Sequence, residues 1–203
     1  MGGNSARHQR TIVGVDETGR GSLIGPIVTC AVAFPPGGIP AALAAQLGDS
    51  KALSAKRRRA AASGLRGAVL FAFGAASCAE VEAVNPLQAT MLAMARAVAR
   101  LQMEGRPPPY ILVDGNRFPP VPHPGEAIIR GDSLVPEIMA ASILAKVLRD
   151  RLVGDLLHVR YPGYGFSHNA GYGSRAHFAA IAALGPCRHH RRTFIRRALP
   201  AAA

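Results

Sequence analysis

Asp16 and Glu17 are adjacent and follow the run Thr-Ile-Val-Gly-Val at 11–15. Asp114 follows Tyr-Ile-Leu-Val at 110–113, and Asp132 follows Ala-Ile-Ile-Arg-Gly at 127–131. Each acid site thus lies at or just past the C-terminal end of an apolar segment. Strand ends on one edge of an α/β sheet are where sites are built. Carboxylates gathered there repel one another, and a divalent cation relieves the repulsion. Oxygen ligands alone select a hard ion such as Mg²⁺ or Mn²⁺. A carboxylate-held metal pair hydrolyses phosphodiesters: one ion makes hydroxide from water and the other stabilises the leaving oxygen. Taken singly, each acid reads better as a turn or helix cap, as Asp132 could be for the helix after it. Taken together on a basic chain, they point to a nuclease.

Gly19-Arg20-Gly21 follows the acidic pair. Its glycines let the backbone approach a ligand closely, with N–H groups toward sugar or phosphate. Alone the tripeptide is a tight connector; beside acids at a strand end, the binding reading gains. The charge agrees: Lys+Arg is 24 against 12 Asp+Glu, a net of +12. That excess favours a polyanion, nucleic acid before an anionic membrane surface. Lys51, Lys56 and Lys146 are the only lysines, and the remaining basic residues are arginine. Arginine binds phosphate bidentately and stacks on bases, although a GC-rich genome writes the same bias.

The apolar stretch at 23–34 is cut by Gly25, Pro26, Thr29 and Cys30 and is too short to span a bilayer. The first ten residues are polar and do not read as a signal peptide. Cys30, Cys78 and Cys187 show neither a disulfide framework nor zinc spacing, which fits a reducing compartment. His168, His177, His189 and His190 are not spaced as a metal site. A soluble cytoplasmic protein, away from membranes, is expected.

The elements that must position these residues follow from 203 residues that are 49% hydrophobic, enough for one domain. Strands are expected at 11–15 and 27–34, joined by a turn-length connection and therefore antiparallel. A short helix at 41–47, a helix from the Ser54 cap to about 63, and a strand at 68–76 follow. Asn85 caps a helix with Pro86 first, running to 104 on the stripe Leu87, Met91, Met94, Val98 and Leu101. Strands at 110–113 and 127–129 precede a long helix at 133–157. Its stripe is Ile138, Ala141, Ala145, Leu148 and Leu152, with Lys146, Arg149 and Asp150 off that face. A glycine- and aromatic-rich loop at 161–174 and a helix at 175–184 complete the order. The class is α/β with a mixed sheet. The chain divides into a flexible tail at 1–10, a catalytic domain at 11–187, and a basic segment at 188–203. Within that segment 188–197 reads as a DNA-backbone contact or a solubilising tail. The Lys56-Arg57-Arg58-Arg59 run reads as a solvated face, and Glu137 as a first-turn partner of the helix dipole.

Val15-Asp16-Glu17-Thr18-Gly19-Arg20-Gly21-Ser22-Leu23-Ile24-Gly25-Pro26 closely resembles the signature of ribonuclease HII. So do Asp49-Ser50-Lys51-Ala52-Leu53-Ser54, Asn85-Pro86-Leu87-Gln88-Ala89-Thr90-Met91 and Val113-Asp114-Gly115-Asn116. Gly131-Asp132-Ser133, Ala140-Ala141-Ser142-Ile143-Leu144-Ala145-Lys146-Val147, Gly171-Tyr172-Gly173 and His190-Arg191-Arg192-Thr193-Phe194 continue it in the family's order. The resemblance implies an RNase H-like fold, a mixed β-sheet flanked by helices, with a helical C-terminal part. It implies an Mn²⁺- or Mg²⁺-dependent endoribonuclease acting in ribonucleotide excision repair. Its substrates would be RNA–DNA hybrids and duplex DNA with single embedded ribonucleotides, cut 5′ of the ribonucleotide to leave 3′-hydroxyl and 5′-phosphate ends. By position, Asp16, Glu17, Asp114 and Asp132 match the metal-binding carboxylates, and Gly19, Arg20 and Gly21 the loop that contacts the ribonucleotide. Tyr172 matches the tyrosine beside the junction sugar, and Lys51 and Lys146 match basic positions near the substrate backbone. A monomer is expected.

The chain departs from the family pattern at Thr18, Ser22, Asn169-Ala170 and Ser174, of which Thr18 and Ser22 are expected to matter little. Two other functions compete. A non-catalytic nucleic-acid binder on this fold gains nothing from acids facing phosphates. A related nuclease with another substrate, such as a junction resolvase, does not need the 2′-hydroxyl reader that residues 19–21 and Tyr172 suit.

Overall fold

The computed structural model describes residues 10–47, 53–107 and 109–196. Lys51, the rest of the 49–52 motif, Arg197 and the first nine residues lie outside them. The elements are β1 (Thr11–Thr18), β2 (Ile27–Ala33), α1 (Ala41–Ala44), α2 (Ala55–Ala68), β3 (Leu70–Ala76), α3 (Cys78–Val84) and α4 (Pro86–Arg100). After these come β4 (Pro109–Asp114), β5 (Gly125–Ile128), a 3-10 turn (Gly131–Ser133), α5 (Pro136–Asp150) and a π-helical stretch (Arg151–Leu157). α6 (His158–Arg160), a 3-10 turn (Pro162–Tyr164), α7 (Phe166–Asn169), α8 (Arg175–Leu184) and α9 (Arg192–Ile195) follow.

The five strands are ordered β3-β2-β1-β4-β5. β1 pairs antiparallel with β2 and parallel with β4; β2–β3 is antiparallel and β4–β5 parallel. This is the mixed sheet expected, with β1 at its centre. Alternation of side chains along the strands fills two cores. Val13, Val15, Ala31, Ala33, Ile111 and Val113 meet Met94, Ala97 and Val98 of α4 on one face. Val28, Cys30 and Val32 meet α2 and Ala140, Ala141, Ile143 and Leu144 of α5 on the other. A third cluster joins Leu23 and Ile24, between β1 and β2, to Val153, Tyr164, Phe166, Ile181 and Ile195 of the helical C-terminal part.

Several expected boundaries move. β1 continues to Thr18 because its antiparallel partner persists to Thr18↔Val28, whereas its parallel partner stops at Val15↔Val113. Asp16 and Glu17 are therefore inside the strand. α4 ends at Arg100 because Leu101 turns extended. α3 was absent from the expected order, although Ser77 and Glu80 form a reciprocal capping box that announces it. The long helix starts at Pro136, whose ring suits the first helical position, and its last turns are π-helical. Residues 161–174 are loop interrupted by two short helical turns. No helix among the described residues is long and apolar enough to cross a membrane.

Candidate active site

Val15 of β1 lies opposite Val113 of β4, so the next residues, Asp16 and Asp114, leave the same edge of adjacent parallel strands. Val13 and Val15 face α4, so alternation turns Asp16 to the face covered by α5. Asp16 is 4% exposed. Burial, then the charges of Glu17 and Asp114, hold its carboxyl well above the usual carboxylate range, against the pull of a Ser142 hydrogen bond. The Glu17 amide donates to Asp16 Oδ1 at 2.6 Å. Asp132 sits in the 3-10 turn after β5, and its amide donates to Asp114 Oδ1 at 3.2 Å.

Glu17 is bound on one side only. Arg20 grips its Oε1 through Nε at 3.0 Å and also through Nη2. Its Oε2 is buried and has no hydrogen-bond partner. A buried carboxylate oxygen left unpaired is costly, and a cation would satisfy it. An all-oxygen donor set with such an atom fits a hard divalent cation. The donors are not drawn into a cage: among the described residues, no three His, Cys, Asp or Glu side chains converge enough to hold an ion. Glu17 Oε1 faces Arg20, and Asp114 Oδ1 accepts from the Asp132 amide.

The turn from Gly19 to Pro26 is held from beneath by two arginines. Arg149 is fully buried and donates to the carbonyls of Pro26 (3.4 Å), Ala170 (3.0 Å) and Ile24 (3.2 Å). Arg191, also fully buried, donates to Arg20 and Ser22 (both 2.8 Å) and to Gly25 (3.2 and 2.9 Å). Burial, then the nearby Arg149 charge, pulls Arg191 down to about 10, so it stays charged at neutral pH. Both findings correct the sequence reading. Arg149 was expected off the buried stripe, and Arg191 in a segment touching DNA or solvent. Carbonyls of an irregular turn have no sheet partner, and the guanidinium fork supplies them. Gly19 follows from this packing: its φ is +92°, and an added Cβ would stand 2.2 Å from Arg149 Nε.

Tyr172 joins this turn through its neighbours. Gly171 O accepts from Ser22 Oγ (2.8 Å) and Leu23 N (2.9 Å). The Tyr172 ring is 37% exposed, with Arg149 Cζ 5.3 Å and Lys146 Nζ 5.6 Å from its centroid. Lys146 is also paired with Asp150 at 2.7 Å. Thus Gly19, Arg20, Gly21, Lys146 and Tyr172 are gathered around one turn, next to Asp16 and Glu17. Ser22, expected to matter little, is buried and ties the two loops. Asn169 accepts from Gly171 N at 2.7 Å and donates to Tyr164 O at 2.8 Å. Arg58 is mostly buried and pairs with Asp150 at 3.2 Å, so the 56–59 run is not a uniformly solvated face. Glu137 lies in the first turn of α5 as expected. Sequence reasoning missed Ser142, Arg149, Arg191 and the buried His177 and His190. Nothing in linear spacing marks them, because their partners lie far along the chain.

The family model for ribonuclease HII matches residues 13–198. A protein named ribonuclease HII from Rhodospirillum rubrum is 49% identical over 185 residues, covering 90% of this chain and 83% of its own. Another of that name from Paracidovorax citrulli is 49% identical over 188 residues, covering 90% and 73%. Ribonuclease H2 from Pyrococcus horikoshii superposes with a TM-score of 0.73 at 24% identity, over 93% of this chain and 96% of its own. A chain of the PCNA:RNase HII complex from Archaeoglobus fulgidus gives 0.71 at 22% identity, over 94% and 98%. Bst-RNase HIII in complex with Mn²⁺ gives 0.71 at 18% identity, over 98% and 73%.

Proposed function

The chain belongs to the ribonuclease HII family and is an endoribonuclease, and from that premise we propose that it cuts the RNA of RNA–DNA hybrids and single ribonucleotides embedded in duplex DNA. The observation that carries this reading is one juxtaposition. The edge bearing Asp16 and Asp114, with the unpartnered Glu17 Oε2, adjoins the turn at 19–26 that is tied to Tyr172. Chemistry and ribose reading then occupy one place.

In this reading Asp16, Glu17, Asp114 and Asp132 hold Mn²⁺ or Mg²⁺, which when bound supplies charge stabilisation to the phosphoryl centre. The protein's own groups do the rest. Arg20 orients Glu17 and leaves Oε2 to the site. The Tyr172 ring packs on the sugar, and the backbone of 19–21 meets the 2′-hydroxyl, which is both donor and acceptor. Water adds to phosphorus on the 5′ side of the ribonucleotide; the bond to the preceding 3′-oxygen breaks and that oxygen takes the proton. The products are 3′-hydroxyl and 5′-phosphate ends, and the 2′-hydroxyl is read rather than spent. Attack by the 2′-hydroxyl would cut 3′ of the ribose and leave a cyclic phosphate. The protein acts as a cytoplasmic monomer in ribonucleotide repair, with Lys51 and Lys146 near the substrate backbone.

The test is a duplex with one ribonucleotide, incubated with and without Mg²⁺ or Mn²⁺, with both ends of the cut mapped. A metal-dependent 5′ cut is expected. A cyclic phosphate, or equal cutting of all-DNA duplex, overturns the reading.

A further inference from the structure

His177, on α8, and His190, ahead of α9, meet through their Nε2 atoms at 3.1 Å. His177 is fully buried and His190 nearly so. Tyr164 and Phe166, stacked 5.3 Å apart, pack on both rings: Tyr164 lies 4.9 Å from His190 and Phe166 5.4 Å from His177. The outer nitrogens are also engaged. The Cys187 amide donates to His190 Nδ1 at 2.9 Å, and His177 Nδ1 meets the Tyr172 carbonyl at 2.9 Å.

These partners dictate every proton of the neutral pair. An amide only donates, so His190 Nδ1 is bare and its Nε2 carries the hydrogen. His177 Nε2 must then accept, which puts its own hydrogen on Nδ1. That hydrogen points at the Tyr172 carbonyl, which only accepts. The chain Cys187 N–H, His190, His177, Tyr172 C=O therefore runs in one direction without a mismatch.

It also closes a circuit. Segment 189–191 is fastened to the 23–25 turn by Gly25 N to His189 O (2.9 Å) and Arg191 N to Leu23 O (2.7 Å). That turn is fastened to Gly171 through Ser22 and Leu23. Gly171 precedes Tyr172, and Tyr172 returns to the segment through the imidazoles. We propose that the His177–His190 pair is a proton-ordered tether that fixes the Tyr172 backbone from behind, making both histidines positioning residues for ribose recognition. The proposal rests on the reading of Tyr172 given above. Misplacing a positioning group by about 1 Å can slow a reaction on the order of 100-fold.

The experiment has two arms. Nitrogen-15 NMR of the full chain at neutral pH reads the tautomers without reference to activity. The expected result is His177 protonated at Nδ1 and His190 at Nε2; any other pair of tautomers overturns the tether. The second arm compares His177→Gln, His177→Asn, Tyr172→Ala and the two double variants on a single-ribonucleotide duplex. The amide nitrogen of Asn stands near the place of Nδ1 and keeps the bond to Tyr172, whereas Gln reaches only toward His190. His177→Gln should lower kcat roughly tenfold or more and His177→Asn should restore most of it, with both melting alike. In the Tyr172→Ala background the His177→Gln effect should vanish, since the two act as one unit. Equal losses in the Gln and Asn variants, or additive losses with Tyr172→Ala, overturn the proposal. Wild-type cutting by Tyr172→Ala alone overturns the ribose-reader reading instead, and the tautomers then decide the tether.

Discussion

Ser22 donates its hydroxyl to the Gly171 carbonyl at 2.8 Å, across 149 positions of sequence. Both residues are buried, so the bond joins the two loops with little competition from water.

Ser22→Ala removes that donor but leaves Gly171 O its second one, Leu23 N. It also removes the acceptor of the Ile24 amide, which donates to Ser22 Oγ at 3.4 Å. The cost is therefore two buried hydrogen bonds, one of them long, about 1–2 kcal/mol, and a melting temperature lower by about 2–8 °C. Thermal unfolding followed by circular dichroism checks the size. An unchanged melt would mean the bond contributes nothing to holding the loops together.

Asp16→Asn and Asp114→Asn should each lose cleavage by orders of magnitude while remaining folded. Asp16 also gives a readout that needs no substrate. Its burial beside Glu17 and Asp114 destabilises the charged form, so Asp16→Asn should melt no lower than wild type without metal. Mn²⁺ should raise the melting temperature of wild type and do so much less for the variant. Equal stabilisation of both by Mn²⁺ would remove Asp16 from the ion site.

Arg191→Met leaves the carbonyls of Arg20, Ser22 and Gly25 without their donor. The expected loss is about 3–5 kcal/mol, among the larger single-residue effects. Because Arg191 is fully buried, it neutralises no phosphate. The slope of log affinity against log salt should stay unchanged in this variant, whereas loss of an exposed phosphate contact reduces it by about 1. Binding to duplex DNA at several salt concentrations separates the two roles.

Burial first, and then His177, push His190 down to about 4 from its ordinary 6.5. A folded value below the unfolded one means the unfolded chain binds the proton more readily. This contribution to stability is present in full above about pH 6.5 and is lost as pH falls from there through about 4. Urea unfolding midpoints between pH 7.5 and 4 should fall accordingly, and His190→Phe should flatten the curve over that range. An identical pH dependence in wild type and variant would assign the loss to other groups.

Much of the frame was readable from local rules. Pro86 behind Asn85, Ser54 at the start of α2 and the β-branched and apolar runs at 11–15 and 27–34 are short-range signals; both caps appear in place, and the runs form β1, which extends on to Thr18, and β2, which stops at Ala33. Asp16, Glu17 and Asp114 were visible because apolar strands end in acids, although pairing with β2 carried the first two inside β1. The supports of the site were not readable. An arginine in Ala-Lys-Val-Leu-Arg-Asp looks like a solvent residue until the turn at 19–26 supplies carbonyls for it. Arg191 and His190 lie in a charged run whose composition suggests a tail, and only tertiary partners reveal an interior.

The closure between residues 22–25 and 187–191 also has a consequence for synthesis. Chains emerge from the ribosome N-terminus first, at about 5–20 residues per second, and domains assemble in that order. The strands of the sheet and the acids on it are translated well before Arg191, which holds the carbonyls of Arg20, Ser22 and Gly25. A nascent or prematurely terminated chain can therefore form the sheet while its 19–26 turn stays unorganised. The turn gains these donors only once Arg191 itself has been translated and has left the exit tunnel.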